Sequence, residues 1–324
     1  MAELAPFGIE PAISPRPWGF RDLRPWYDRV AEGEPIGEMW LTGDDCLIST
    51  GPHAGKRLAA LFAEVHQALL GDGAPSPDSP LLIKTIFARE KLSVQVHPDD
   101  KMAQKYGDPR GKTECWYVLA AEPGAEVALG VKPGTTLAQI EEEIHAGTLE
   151  ASLNPVPVAA GDMIFVDAGT IHAIWPGPIL LETQQNCDLT YRMFDYGRGR
   201  ELHIEKSLEA TKLMTRAGKI APRKLADRTV LIDVEYFRVE RVPVEGSRTS
   251  ESLRGGEKAG LAYLFAAAGL GRLTGVGFEA VELPARGIVA VPAASPEFVL
   301  EEAGGPGEKL DLIRITPNWP ASAQ

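Results

Sequence analysis

Leu92-Ser93-Val94-Gln95-Val96-His97-Pro98, followed shortly by Gly111-Lys112-Thr113-Glu114-Cys115-Trp116-Tyr117, is the stretch that decides how this chain is read. Side chains alternate between faces along an extended run. Leu92, Val94 and Val96 are therefore expected on one face and Ser93, Gln95 and His97 on the other, with Pro98 ending the strand. Three polar groups on one face suit a lined pocket better than a dry core. Glu114 opens the next strand-like run. A second histidine, His172, closes Gly161-Asp162-Met163-Ile164-Phe165-Val166-Asp167-Ala168-Gly169-Thr170-Ile171-His172. A lone histidine is more often a hydrogen-bonded group than a ligand, so the combination carries the argument. Gln95, His97, Glu114 and His172 offer nitrogen and oxygen donors without thiolate. That set suits Zn²⁺, with Fe²⁺, Mn²⁺ or Co²⁺ as alternatives.

The chain has 324 residues, enough for one large core or two domains. Its 33 glycines and 26 prolines point to many turns and a β-rich fold. A net charge of -12 argues against nucleic acid or an anionic membrane as partner. An anionic substrate would need a local cluster of Lys and Arg against that field. Cys46, Cys115 and Cys187 are widely spaced and form no CxxC, which fits a reducing cytoplasm. No signal peptide and no transmembrane run is expected.

Residues 1–54 read as irregular strands. The spacing of Leu58, Leu61, Phe62, Val65 and Leu69 predicts a helix over 55–71. Strands are expected at 81–87, 92–97, 115–120, 126–130, 161–166, 179–184 and 189–194. Helices are expected at 100–106, at 136–146 with Thr136 and Gln139 in capping-box spacing, and at 201–215. From about 221 strand-like runs recur at regular intervals with turns between, as in a β-sandwich or jelly roll. This part holds no His and no Cys. The expected division is therefore 1–220, carrying the metal chemistry, and 221–324. His53, His66, His145 and His203 read as turn, helix, solvated and helix-start residues.

The ligand pattern, Q-x-H, then E, then G-x7-G-x2-H, resembles the two metal-binding motifs of the cupin family. Lys84 sits in an otherwise apolar strand, where an unpaired ammonium is costly. It must face a pocket or reach solvent. Lys112 precedes Glu114 by two residues, and Arg192 ends the polar run from Thr183. Singly each reads as a surface charge. Converging on a metal pocket, they could hold a phosphate and a developing oxyanion.

The chain resembles type I mannose-6-phosphate isomerases in their short bacterial form. The resemblance rests on Leu81–Lys84, Leu92–Asp99, Gly111–Tyr117, Asp167–Ala173 and Leu181–Arg192. Asp167 stands where the cupin turn often has proline, and Cys187 where relatives often have serine. The resemblance implies a mainly β fold: a metal-binding cupin domain with helical additions, then a second, metal-free jelly-roll-like domain. It implies one Zn²⁺ per chain on Gln95, His97, Glu114 and His172, and a pocket of Lys84, Ser93, Lys112, Glu182 and Arg192. The implied reaction interconverts D-mannose 6-phosphate and D-fructose 6-phosphate through an enediolate. Ser93, Lys84 and Lys112 would bind the phosphate, Arg192 would stabilise the enediolate, and Glu182 or Lys112 would carry the proton. The competing expectations are an Fe²⁺-dependent cupin oxygenase and a non-catalytic sugar-phosphate sensor. The chain is expected to act on a small molecule in the cytoplasm, as a monomer or homodimer.

Overall fold

The computed structural model describes residues 3–305 and 307–319. Its regular structure is dominated by strands, in four sheets. Two compact units emerge. One comprises residues 13–39 and 83–220, the other 1–12, 40–82 and 221–324. This spatial grouping cuts differently from a contiguous division at 220/221. The reason is strand pairing: Phe7–Glu10 lies antiparallel to Ile288–Val291, so the N-terminal strand is held by the C-terminal segment.

The unit around 83–220 is built on two sheets. The larger runs in the order Gly218–Ile220, Met163–Val166, Glu114–Ala121, Pro178–Gln185, Leu81–Phe87, Ile36–Trp40, Ala12–Phe20. The smaller runs Tyr191–Phe194, Val94–Val96, His172–Ile174, Glu126–Val131, Leu153–Pro157. Trp116, Val118, Ile164 and Leu180 of the larger sheet pack with Val127, Leu129 and Ile174 of the smaller in one core. On the smaller sheet Val94, Val96, Tyr191 and Met193 pack with Ile140 and Ile144 of the helix Leu137–Ala146. The expected alternation thus holds for Val94, Gln95 and Val96. Leu92 departs from it, because the strand begins only at Val94. Leu92 instead joins the core between the sheets. The runs 81–87 and 94–96, adjacent in sequence, belong to different sheets.

The helix expected at 136–146 forms over Leu137–Ala146. Thr136 Oγ1 accepts from the Gln139 amide, which is half of a capping box; the Gln139 side chain turns to Glu143 and Ser152 instead. The helix expected at 201–215 is shorter, Ile204–Ala210. Its start is delayed because Arg192 Nη1 donates to the Glu201 carbonyl and the His203 amide donates to that of Arg192. Its end comes early because the Lys212 amide donates to the Gly169 carbonyl.

The other unit has an eight-stranded sheet and a four-stranded sheet. Val242, Leu264, Val289 and Leu312 of the former pack with Leu273, Val281 and Leu300 of the latter. The strand-like runs read from 221 onward are present, with Arg223–Lys224, Ser247–Thr249 and Gly271–Gly275 in addition. The helix expected over 55–71 spans Leu58–Leu70. It buries Leu58, Leu61, Phe62, Leu69 and Leu70, while Val65 leaves the helical conformation and is only half-buried. Among the described residues no helix is long and apolar enough to cross a membrane.

Gly169 pins the turn that leads into His172. Its φ of 95° is a region L side chains rarely adopt, and a Cβ there would lie 2.7 Å from Lys212 and 3.0 Å from the Ala210 carbonyl. Its amide donates to the His97 carbonyl at 2.8 Å, tying the two histidine segments together. Gly169→Ala is expected to destabilise the fold by about 2 kcal/mol through backbone strain and crowding. Its denaturant midpoint should drop accordingly; an unchanged midpoint would show that the turn can relax.

Candidate metal centre and the cavity beside it

The site is assembled from two rows of side chains, one on each sheet. In the smaller sheet Arg192 stands opposite Gln95, and Gln95 opposite His172, on three adjacent strands. In the larger sheet four consecutive neighbours supply charged groups: Glu114 from 114–121, Glu182 from 178–185, Lys84 from 81–87 and Glu38 from 36–40. Neighbouring strands lie about 4.8 Å apart, so such a row sets charges at ion-pair spacing.

The metal set is closely grouped. Donor atoms of His97, Glu114 and His172 all lie within 4.8 Å of one another, and the three residues are buried. Glu114 Oε2 is 3.6 Å from His97 Nε2, and Oε1 is 3.5 Å from His172 Nε2. His97 Nδ1 lies 2.9 Å from the Leu189 carbonyl and His172 Nδ1 2.9 Å from that of Thr170. A carbonyl only accepts, so each Nδ1 carries the proton and each Nε2 turns a lone pair inward. Burial lowers the pKa of both rings, Lys112 lowers it further, and His172 comes down to about 4. Both rings are thus held neutral and ready to ligate. Gln95 Nε2 is 3.4 Å from His97 Nε2 and 3.2 Å from His172 Nε2. The amide's nitrogen and oxygen are interchangeable by rotation. Turned over, Gln95 presents its oxygen to the same point, and Ser93 Oγ, 3.3 Å from the other end, switches from donor to acceptor. Neither Glu114 oxygen makes a hydrogen bond. A buried carboxylate facing two imidazole lone pairs is what a divalent cation satisfies. Gln95, His97, Glu114 and His172 therefore fit a metal ion as a set.

The loops that deliver these residues are tied to one another. The Lys112 amide donates to the Pro98 carbonyl at 3.0 Å. Gly111 lies so near that a Cβ would fall 2.5 Å from that oxygen. Asp100 Oδ1 accepts from the Gly111 amide and from Gln185 Nε2, and Gln185 Oε1 accepts from the Thr113 amide.

Charges then alternate away from the metal set. Lys112 Nζ is 3.2 Å from Glu114 and 4.0 Å from Glu182. Lys84 Nζ is 3.0 Å from Glu182 and 3.7 Å from Glu38. Arg16 reaches the other oxygen of Glu38 at 3.1 Å. Burial alone would pull the Lys84 pKa down, but Glu182 and Glu38 overcome it and hold it well above the usual lysine range. Lys84 accordingly faces this cluster rather than solvent. Burial, then Glu114, raises the Glu182 carboxyl, against Lys84 and Lys112. Trp116, directly opposite Glu182 in the sheet, donates its indole N–H to Oε2 at 2.9 Å.

A cavity of about 490 Å³ opens beside this cluster. Ser93, Gln95, Lys84, Lys112, Glu182 and Arg192 all line it, while the donors His97, Glu114 and His172 are not part of its lining. Arg192 stands half-buried at the wall, with Nη1 on the Glu201 carbonyl. Sequence reasoning missed Arg16, Glu38, Asp188 and Arg200, which also line it. Glu38, a buried charge between Ile36 and Met39, carried the one usable signal. Cys46, Cys115 and Cys187 are free thiols.

The family model for phosphomannose isomerase type I, catalytic domain, matches residues 22–138. A mannose-6-phosphate isomerase of Streptococcus mutans is 34% identical over 293 residues, covering 86% of this chain and 89% of the relative. A probable mannose-6-phosphate isomerase of Bacillus subtilis is 32% identical over 317 residues, covering 91% and 96%. The crystal structure of the mannose 6-phosphate isomerase from Bacillus subtilis superposes with a TM-score of 0.82 at 27% identity, covering 96% of this chain and 99% of that one.

The neutral histidines give the metal-free protein a pH-dependent stability. His172 has a folded pKa of about 4 against an ordinary 6.5. Between those values the unfolded chain binds more protons, so this contribution is complete above 6.5 and is lost as the pH falls toward 4. The slope is about 1.4 kcal/mol per pH unit. Metal-free His172→Asn should therefore lose stability less steeply than wild type over that range, as read from urea midpoints. Parallel slopes would refute the neutral, buried imidazole.

Proposed function

Because the chain belongs to the type I phosphomannose isomerase family, we propose that it interconverts D-mannose 6-phosphate and D-fructose 6-phosphate by proton transfer through an enediolate. The observation that carries this reading is a three-donor metal cluster whose Glu114 pairs with Lys112, beside a cavity lined by Lys84, Lys112 and Glu182. The isomerase names of the relatives favour it over a cupin oxygenase or a non-catalytic sensor.

The reaction needs a group that takes the proton from C2 and returns it to C1, and groups that hold the charge built on the intervening oxygens. Glu182 is our choice of base. Burial and the neighbouring Glu114 raise its pKa, which makes the carboxylate a stronger base. Trp116 and Lys84 fix its two oxygens from opposite sides, leaving little freedom to swing. Lys112, beside both Glu114 and Glu182, supplies positive charge where the enediolate forms. Ser93 and Lys84 contact sugar oxygens, and Arg192 stabilises the developing charge from the cavity wall. A Zn²⁺ ion held by Gln95, His97, Glu114 and His172 would supply Lewis-acid polarisation of the oxygens on C1 and C2. Activity of this kind belongs in the cytoplasm, a compartment that suits three free thiols.

Purified, zinc-loaded protein should form fructose 6-phosphate from mannose 6-phosphate; no product would end this reading. Glu182→Gln keeps an acceptor for Trp116 but removes the base, and kcat should drop by about 10²- to 10⁴-fold with metal content unchanged. Glu114→Gln should instead lower zinc content measured by mass spectrometry. If Glu182→Gln retains full turnover, the base lies elsewhere.

A further inference from the structure

We infer that Arg16 and Arg200 form the receptor for the phosphate group of the substrate, at the mouth of the cavity and separate from the lysines beside the metal set. This inference rests on the isomerase reading above. It begins with how the cations of the cavity are committed. Lys84 and Lys112 are each enclosed by two carboxylates, with Nζ–O separations between 3.0 and 4.0 Å. Two ammonium groups there face Glu38, Glu114 and Glu182, so both lysines are already engaged with carboxylates. A phosphate placed among those carboxylates would meet repulsion in a poorly solvated setting.

The arginines differ. Arg16, Arg192 and Arg200 all line the same cavity. They are near enough that Arg200 and Arg16 act on Arg192, whose pKa is lowered first by burial and then by these like charges. Arg16 is anchored by Glu38 through Nη2 and by the Pro15 carbonyl through Nη1. Arg200 is anchored by Asp195, through Nε at 2.9 Å and through Nη2. A guanidinium carries five N–H donors, so each keeps hydrogens for a further acceptor while its plane is fixed by a carboxylate. Side-chain exposure of 28% for each leaves both half-buried: reachable from solvent, yet shielded more than a surface charge. Fixed, planar, partly dehydrated forks suit a phosphate better than ammonium points do. The location also answers the chain's net charge of -12, which repels an anionic substrate until a local positive cluster takes over. With the phosphate at the mouth, the far end of a six-carbon sugar extends inward toward Glu182 and the metal donors.

The test compares Arg16→Gln and Arg200→Gln with wild type, all zinc-loaded and assayed with mannose 6-phosphate. Each loss of a charge-assisted contact should raise KM by about tenfold or more, with kcat falling by less. Inorganic phosphate should compete with substrate in wild type, and its inhibition constant should rise in the same variants. Arg16→Lys and Arg200→Lys, which keep the charge, should recover part of the loss. A KM within twofold of wild type in either Gln variant overturns the assignment for that arginine. Wild type that turns over without competitive inhibition by inorganic phosphate overturns the receptor, and needs no variant to fold. Absence of turnover in wild type would instead refute the isomerase reading itself.

Discussion

The alternating row Arg16, Glu38, Lys84, Glu182, Lys112, Glu114 is the interaction on which the catalytic unit depends. Burying one unpaired ion costs several kcal/mol, and a buried pair offsets this only with good geometry. Here no member of the inner row stands alone. Each carboxylate lies between two cations, or between a cation and the histidines. The arrangement does not maximise stability, since apolar residues of equal size would pack as well. What it provides is a set of charges held in fixed positions before a substrate arrives, which is the condition for electrostatic stabilisation of a developing oxyanion.

The row exists because the sheet has the order it has. Glu38, Lys84, Glu182 and Glu114 come from four strands that are neighbours in space but scattered in sequence. A one-residue slip of any of these strands would turn its charge into the opposite face. Register is held by the apolar residues that share this face, Trp116, Val118, Ile164 and Leu180, which pack against the smaller sheet. The ties from Gly111 to Asp100 and from Gly169 to His97 hold the strand ends that carry the ligands. Packing and chemistry are thus coupled through backbone geometry: the hydrophobic core fixes the register, and the register sets the ion-pair distances.

The three arginines extend this logic toward solvent. Glu38 is shared between Lys84 inside and Arg16 at the mouth. Charge therefore grades from a carboxylate-rich interior, which fits a divalent cation, to a guanidinium-rich rim, which fits a phosphate. A sugar phosphate carries its charge at one end and neutral hydroxyls along the rest, which suits a cavity whose cations are not all committed to the inner carboxylates.

Much of this was legible in the residue order, for definable reasons. The alternation of Val94, Gln95 and Val96 follows from strand geometry, which is local, and it puts Gln95 on the face opposite two buried valines. Gln95, His97, Glu114 and His172 could be named as candidate donors because their order resembles a family's metal-binding motifs, and His97, Glu114 and His172 do come together. Lys84 had to face a partner, because a lysine in an apolar strand has few other options. Arg16 and Arg200 were not legible as site residues, and Glu38 only as a charge between apolar neighbours. Arg16 and Glu38 lie far in sequence from the ligands and reach the cavity through strand order, while Arg200 follows the strand Tyr191–Phe194 in a loop and is held there by Asp195. The same holds for the pairing of Phe7–Glu10 with Ile288–Val291 and for the early start and end of the helix Ile204–Ala210, both set by long-range backbone hydrogen bonds. The sequence by itself determined which groups could do chemistry and which faces were polar. Tertiary structure alone decided which of those groups meet, because strand neighbours and ion-pair distances arise from pairing between segments remote along the chain.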